Sequence, residues 1–250
     1  EGHAVDRVKH QEQILVIMGN PPYSVSSSNK TPFIETLMKT YKEAVKGEKN
    51  IQPLSDDYIK FLRFAHWKME QVSKGIVGVI TNNSFLDGLI HRGMREELMK
   101  TFDEIYILNL HGNANKRETC PDGSKDENVF DIRQGVAIAQ LVKTGKQANR
   151  ARGVYCANLQ GLREQKYDAL YANTVNSIHW EKIEAAAPDF WFVKKDFSFG
   201  TAYKNGLGLN EIFQLFGSGV KFRKDSLLVH LTKAAVIEML HDMKKISDDD

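Results

Sequence analysis

The chain has 250 residues, of which 42% are apolar and 26% are charged, and its formal net charge is +2. This is an ordinary globular composition with enough apolar residues for a core, and its charge gives no strong overall attraction to nucleic acid or membrane. No apolar run approaches about 20 residues, so no membrane-spanning helix is predicted, and the polar N-terminus has no signal-peptide core. The two cysteines, Cys120 and Cys156, lie far apart without metal-binding spacing. Their placement favours a reducing, cytoplasmic compartment.

Apolar runs predict four strands in the first part of the chain. Residues 14–18 form a continuous apolar run that leads into Gly and Pro. This pattern predicts a central parallel strand that is buried on both faces. Further strands are predicted at residues 76–81, 104–110 and 135–143.

Segments between these runs predict three helices, at residues 33–46, 53–75 and 91–102. The second is the strongest, because Ser55 can cap it and its apolar residues recur at helical spacing. Strands that alternate with helices predict an α/β fold with a mainly parallel sheet. The long polar loop at 112–128 suits a closing hairpin before the last strand.

The sequence pattern changes after about residue 146. The segment "GKQANRARG" resembles a linker or surface turn, "VYCANL" predicts one more strand, and the chain from residue 162 onward is irregular and rich in aromatic residues. We therefore predict one domain over residues 1–146 and a separate extension over residues 147–250.

The first predicted strand runs directly into Asn20-Pro21-Pro22-Tyr23. In open α/β sheets, ligands bind outside the carboxyl ends of the strands. Proline fixes φ and lacks an N–H, and it forces the preceding residue into an extended conformation, so this turn presents carbonyl acceptors outward. Asn20 adds a side-chain acceptor and Tyr23 adds a flat face. The set contains no acid, nucleophile or metal ligand, and it suits a planar group that carries an amine.

The segment "IMGNPPYS" resembles the catalytic motif of S-adenosylmethionine-dependent amino-methyltransferases, chiefly the adenine-specific DNA methyltransferases. The segments "GIVGVITNNSFLDG", "LNLHGNANK" and "ENVFDIRQGVAIAQLVK" resemble the following strands and the late motif of that family, so the resemblance covers about residues 14–143. It implies a Rossmann-like methyltransferase fold, mainly parallel with a closing antiparallel strand, here incomplete and followed by an α+β extension.

Two later segments, "IHWEKIEAAAPDFW" and "LFGSGVKFRKDSLL", resemble regions that follow the methylase core in large single-chain bacterial restriction-modification enzymes. Those enzymes carry helicase, methylase and recognition parts, so helicase or nuclease parts on the same polypeptide are expected partners. The relatives are expected to have Gly-Val-Lys-Thr-x-Arg-Asp where this chain has Gly219-Val220-Lys221-Phe222-Arg223-Lys224-Asp225, so Phe222 and Lys224 replace the Thr and the Arg. This departure makes the tail a weaker match than the core.

The resemblance also implies roles for individual residues. The Asn20 side-chain oxygen and the Pro21 carbonyl accept the hydrogens of the adenine amine, which localises its lone pair, and Pro22 completes the rigid turn. The substrate is double-stranded DNA whose adenine leaves the duplex to reach the pocket. Tyr23 stacks on the flipped base, and Phe130 is a candidate for a second aromatic contact.

Other polar and aromatic residues have simpler interpretations. Phe130 fits equally well as a core residue before the last strand. Residues 82–84 fit the cap of the following helix better than a pocket wall. His66 and His111 are expected to be structural, and Cys120 has no general base nearby in sequence that would make it a nucleophile. No metal site is predicted.

The family's cofactor site is missing from the expected place. A glycine-rich loop and a ribose-binding acid precede the Asn-Pro-Pro-Tyr motif in these enzymes, but the nineteen residues before Asn20 contain neither. We expect the S-adenosylmethionine site upstream of Glu1, and weak or no cofactor binding by this chain alone. The alternative is a circularly permuted order that uses Gly200, Gly206 and Gly208, but no buried apolar strand leads into those glycines.

Basic residues in the tail predict DNA contact. Lys221, Arg223 and Lys224 lie among aromatic residues, a pattern that suits phosphate and base contacts. The alternative is an ordinary domain surface over an aromatic core.

Three other functions remain open. Protein glutamine methyltransferases use a similar motif but are compact, whereas this chain has a helical insert at 33–73 and a long tail. Methylation of the cytosine amine is a closer variant, although Asn at the first motif position favours adenine. A non-catalytic methylase-like module for DNA binding or specificity is the third.

Overall fold

The computed structural model describes residues 13–23, 27–145, 153–213 and 230–247. The chain divides into two compact units, Glu1–Lys195 and Asp196–Asp250. The first contains the whole described sheet, and the described residues of the second form three helices.

A six-stranded sheet forms the centre of the first unit. Its strands are β1 (Val16–Gly19), β2 (Gly75–Asn82), β3 (Glu104–His111), β4 (Val136–Lys143), β5 (Gly153–Asn158) and β6 (Glu181–Ile183). The order in space is β1-β2-β4-β3-β5-β6. Strands β1, β2, β3 and β5 run in one direction, and β4 and β6 run in the other. This confirms the predicted α/β fold, its mainly parallel sheet and the antiparallel hairpin of β3 with β4.

Helices cover both faces of this sheet. The first unit contains α1 (Pro32–Lys42), α2 (Asp57–Glu70), α3 (Arg92–Thr101) and α4 (Arg163–Ala172). Alternate strand residues point to opposite faces. Helices α1 to α3 pack on the face that carries Val77, Val79 and Ile107. Residues of α4 pack on the opposite face, around Leu108 and Leu110.

Strand β1 corrects one prediction. It pairs in parallel with β2, as expected, but it lies at the end of the sheet rather than in its centre. Val16 is 59% exposed and Met18 is 80% exposed, so the prediction that residues 14–18 are buried on both faces is wrong. The reason is that no other described strand pairs with the outer edge of β1.

Two helix predictions also change in detail. Helix α2 begins at Asp57 and is capped by Asp56, whose carboxylate accepts a hydrogen bond from the Tyr58 N–H, rather than by Ser55. Ser55 instead ends a short 3-10 turn. Helix α4 occupies a region that the sequence pattern left as irregular.

The first unit continues well past residue 146, the predicted boundary. Strands β5 and β6 extend the same sheet. The buried Arg95 guanidinium donates hydrogen bonds to the Asp189 carbonyl, and the Phe192 N–H donates to the Leu86 carbonyl. Residues 153–195 are therefore packed into the first unit, while the predicted recognition role of the extension stays a prediction.

The second unit contains α5 (Gly200–Lys204), α6 (Leu209–Ile212) and α7 (Lys233–Ser247) among its described residues. Across the described part of the chain, no helix has both the length and the apolar character needed to cross a bilayer.

Candidate active site

The Asn20–Tyr23 turn lies at the carboxyl end of β1. This strand ends at Gly19, which is in register with Val79, and β2 continues to Asn82 at the same edge of the sheet. Asn20 is exposed and Pro21 is buried. The turn is thus anchored by one proline and presents its amide to solvent where parallel strands end, as the sequence predicts.

Tyr23 contacts the amide of the same turn. Its hydroxyl donates a 3.1 Å hydrogen bond to Asn20 Oδ1. Its ring is partly buried and meets the Tyr58 ring edge-on at 6.1 Å between centroids. Burial raises the pKa of Tyr23 to about 12, so the hydroxyl keeps its proton and remains a donor at neutral pH.

A row of aromatic rings packs against Tyr23 on the core side of this turn. Tyr58 packs against Phe85, which follows β2, and Phe85 meets Phe192 edge-on, with centroid distances of 6.5 and 6.3 Å. All three side chains are buried. Because Phe192 belongs to the segment after β6, this late part of the chain helps to shape the floor of the site. The sequence pattern gave no sign of that contribution.

The polar residues after β2 divide between two roles. Asn82 Oδ1 accepts hydrogen bonds from the Ser84 N–H and hydroxyl at 2.9 and 2.6 Å, so Asn82 is a cap, as predicted. Asn83 is buried and its Nδ2 donates to Asn109 Oδ1 at 3.1 Å. Asn83 Oδ1 has no hydrogen-bond partner among the residues that the structure describes. The capping interpretation therefore holds for Asn82 but not for Asn83.

A polar cavity of about 220 Å³ lies where β2, β3 and β5 end. Its lining includes Asn83, Asp87, Asn109, His111, Asn158 and Lys194. His111 Nε2 lies 2.9 Å from Asn158 Oδ1 across the parallel strands. Sequence analysis missed Asn109 and Asn158, although each stands at the end of an apolar strand, which is the signal that could have identified them.

Phe130 lies on the other side of the sheet from Tyr23. Its ring is partly buried against the cluster that contains Leu108 and Leu110, whereas Tyr23 packs with the core on the opposite face. The Phe130 N–H donates to Asn128 Oδ1 at 2.9 Å. Phe130 is thus a partly buried member of the smaller core, and its contact with the base stays a prediction.

His66 is a structural residue. It is fully buried in α2, with Nδ1 2.9 Å from the Tyr41 hydroxyl and Nε2 2.7 Å from Thr101 Oγ1. Burial, with Arg63 and Lys143 nearby, lowers its pKa to about 3. His66 is neutral at physiological pH, and both of its ring nitrogens are bonded within the core.

The position of the S-adenosylmethionine site stays a prediction. No glycine-rich loop follows a strand in the ranges that the structure covers, and no described strand precedes β1. The circularly permuted alternative requires a strand that leads into Gly200. Gly200 instead begins the five-residue helix α5, and no strand occurs among the described residues from 197 to 213. Within the same described ranges, no group of three or more His, Cys, Asp or Glu side chains could hold a metal ion.

The proposed DNA contacts at Lys221, Arg223 and Lys224 lie outside the described residues.

A family model matches the first part of the chain. Residues 3–115 match the family model of the Eco57I restriction-modification methylase, and this segment contains the Asn20–Tyr23 turn. No curated protein sequence matches the chain.

Three solved structures resemble nearly the whole chain. The ATP-dependent Type ISP restriction-modification enzyme LlaBIII bound to DNA has a TM-score of 0.73 and 27% identity, over 95% of this chain and 17% of that one. The DrdV–DNA complex has a TM-score of 0.71 and 27% identity, over 96% and 25%. A nuclease-deletion mutant of the Type ISP restriction-modification enzyme LlaGI with a DNA substrate mimic has a TM-score of 0.71 and 25% identity, over 96% and 24%. The chain thus spans a quarter or less of each of these relatives.

Proposed function

We propose that this chain, whose residues 3–115 are part of an Eco57I-type restriction-modification methylase, is the catalytic half of a methyltransferase that modifies the exocyclic amine of adenine in DNA. The observation that carries the proposal is the Asn20–Tyr23 turn at the carboxyl end of a parallel strand, with an exposed amide that is already hydrogen-bonded by an aromatic neighbour. The turn offers acceptors for the hydrogens of an aromatic amine and a flat ring on which its base can stack.

The chain's own residues act on the amine. The lone pair of the adenine amine is delocalised into the ring, which makes it a weak nucleophile. When Asn20 Oδ1 and the Pro21 carbonyl accept its two hydrogens, the nitrogen moves towards tetrahedral geometry and its lone pair becomes available. This is catalysis by positioning and electrostatics, without a covalent intermediate.

Aromatic residues would hold the flipped base. Tyr23 and Phe130 are each only partly buried, and by the resemblance both are candidates for contact with the base. A base stacked on an aromatic ring gains about 1–3 kcal/mol, which offsets part of the cost of leaving the duplex.

The methyl donor in this proposal is S-adenosylmethionine, bound by polypeptide outside the described residues. Support comes from β1, because no other described strand pairs with its outer edge and apolar side chains such as Val16 and Met18 are exposed. Proteins normally cover or blunt an exposed apolar strand edge, and another strand would cover this one. By this proposal, the described residues alone bind the donor weakly or not at all.

The proposed partners are double-stranded DNA and helicase or nuclease parts of the same polypeptide, in the bacterial cytoplasm. The DNA-bound states of the similar structures support a DNA substrate over a protein glutamine substrate. Contact of DNA with Lys221, Arg223 and Lys224 remains part of the proposal.

The test uses the full-length protein, S-adenosylmethionine labelled in its methyl group, and unmethylated DNA. Mass spectrometry of the digested nucleosides should find the label in N6-methyladenine. Label in N4-methylcytosine would replace adenine by cytosine as the substrate. Label in protein glutamine, or no transfer with DNA still bound, would contradict the proposal and favour the glutamine or binding-module alternative.

A further inference from the structure

Helix α4 donates side-chain hydrogen bonds to four successive main-chain carbonyls of residues 127–130. The bonds run from Lys166 Nζ to Glu127 O at 2.6 Å, from Arg163 Nε to Asn128 O at 2.8 Å, from the Tyr167 hydroxyl to Val129 O at 2.6 Å, and from Arg163 Nη2 to Phe130 O at 3.1 Å. Three residues from one face of the helix thus bind every carbonyl of the segment that carries Phe130.

A buried ion pair anchors this arrangement. Lys166 Nζ lies 2.7 Å from Asp126 Oδ1, and neither side chain is exposed to solvent. The Asp126 carboxylate also accepts hydrogen bonds from the N–H groups of Gly112 and Gly161 at 2.6 and 2.9 Å. Burying two charges is costly unless their remaining donors and acceptors also form hydrogen bonds. Here both the Lys166 ammonium and the Asp126 carboxylate form such additional bonds. The pair therefore fixes one register of the loop against α4.

Asn128 fixes the same segment from within. Its Nδ2 donates to the Gly112 and Gln134 carbonyls, and its Oδ1 accepts from the Phe130 N–H. Gly112 has a φ of +75°, and a Cβ there would lie 2.4 Å from the Asn128 Cα, so the close approach of the two segments requires glycine. Both main-chain polar groups of Phe130 are consequently bonded, while the residue as a whole is only partly buried.

We propose that α4 is a positioning element of the active site, and that Arg163, Lys166 and Tyr167 hold Phe130 in place for stacking on the flipped base. The inference rests on the proposed function and extends it beyond the family match, which ends at residue 115. A ring that is held before the base arrives loses less conformational entropy when it stacks. Helix α4 is then part of the catalytic unit, although the sequence places it in the extension.

The experiment is a double-mutant cycle in the full-length protein, measured as single-turnover adenine methylation of unmethylated DNA. Arg163→Ala should slow the reaction about tenfold, which is within the range expected for the loss of one aromatic–base stack. DNA affinity should remain unchanged. In the Phe130→Ala background, Arg163→Ala should have no further effect, because the ring that it positions is gone.

Asp131→Asn is the matched control. It removes the 2.8 Å ion pair of Arg163 with the 92% exposed Asp131 and leaves the carbonyl bonds intact, so wild-type rates are expected. If the Arg163→Ala variant does not fold, Tyr167→Phe replaces it in the double-mutant cycle. It removes one hydroxyl and should slow methylation a few-fold, again only when Phe130 is present.

Independent, multiplicative effects of Arg163→Ala and Phe130→Ala would overturn the inference, as would wild-type activity of Phe130→Ala. In both cases adenine methylation by the wild-type protein leaves the proposed function standing. A wild-type protein that does not methylate adenine overturns both.

Discussion

The Tyr23 hydroxyl donates a hydrogen bond to Asn20 Oδ1, the atom that we assign as acceptor for the adenine amine. In the protein alone this bond satisfies the exposed amide and fixes its orientation. When a base enters, its amine replaces the hydroxyl at that oxygen, or shares the oxygen with it, since an amide oxygen has two lone pairs. By the proposed function, the turn is therefore arranged for its substrate before the substrate binds.

The hydroxyl and the ring of Tyr23 have different proposed roles, and two substitutions test them separately. Tyr23→Phe keeps the ring and removes the hydroxyl, so adenine methylation should stay within a few-fold of wild type. Tyr23→Ala removes the stacking surface as well and should lower the rate by tenfold or more. Single-turnover methylation with the full-length protein measures both. Equal losses in the two variants would show that the hydroxyl, and not the ring, is the important part.

The pH dependence of stability should depend on His66. Burial lowers its folded pKa to about 3, so below about pH 6.5 the proton binds the unfolded chain but not the folded one. Stability is therefore complete above about pH 6.5 and falls as the pH falls towards 3. Between pH 7 and pH 5 this single group should cost about 2 kcal/mol of unfolding free energy.

Chemical denaturation of the chain at the two pH values tests this expectation. His66→Gln should flatten the difference by about that amount, whereas the exposed His179→Gln should leave it unchanged. Some dependence should remain from His91, because burial lowers its pKa to about 4. A wild-type slope in His66→Gln would contradict the assignment.

Arg95 should hold the segment after β6 against the sheet. Its guanidinium is fully buried, donates to the carbonyls of Asp189, Phe85 and Gly88, and lies 5.0 Å from the centre of the Trp191 ring. A lysine cannot reproduce this planar set of donors. Arg95→Lys should therefore release the segment that carries Phe192.

Hydrogen exchange measures that release at the Phe192 amide, which donates to the Leu86 carbonyl at 3.0 Å. Its exchange should accelerate by about tenfold or more, because hydrogen bonds from charged donors contribute about 1.5–3 kcal/mol. Arg92→Lys, on the more exposed side of α3, is the control and should leave this amide protected. Unchanged protection in Arg95→Lys would mean that packing alone holds the segment.

The sequence predicts local features of this molecule better than features set by distant residues. The Asn20–Tyr23 turn is contiguous, so its chemistry is readable from four residues. The run at 14–18 gives the strand and its direction, but burial depends on neighbours that lie outside the run. Asp56 rather than Ser55 caps α2 because the chain between them turns as a 3-10 helix, which the cap preferences do not distinguish.

Helix α4 shows why one element was missed. Its buried positions include Lys166, which a hydrophobic pattern treats as solvent-facing, so the helical period is hidden in "REQKYDALYA". The lysine is buried because Asp126, forty residues earlier, and two carbonyls receive it. Such a long-range ion pair leaves no local signal in a single sequence.

Asn20→Ala in the full-length protein is the measurement that tests the central claim most directly. Removal of this acceptor should reduce adenine methylation by about a hundredfold or more, which is the typical cost of losing one preorganised polar group at a reacting centre. DNA binding and the exposed control Asn176→Ala should both match wild type. Wild-type methylation by Asn20→Ala would contradict the account, because the turn at the end of β1 would then not act on the amine.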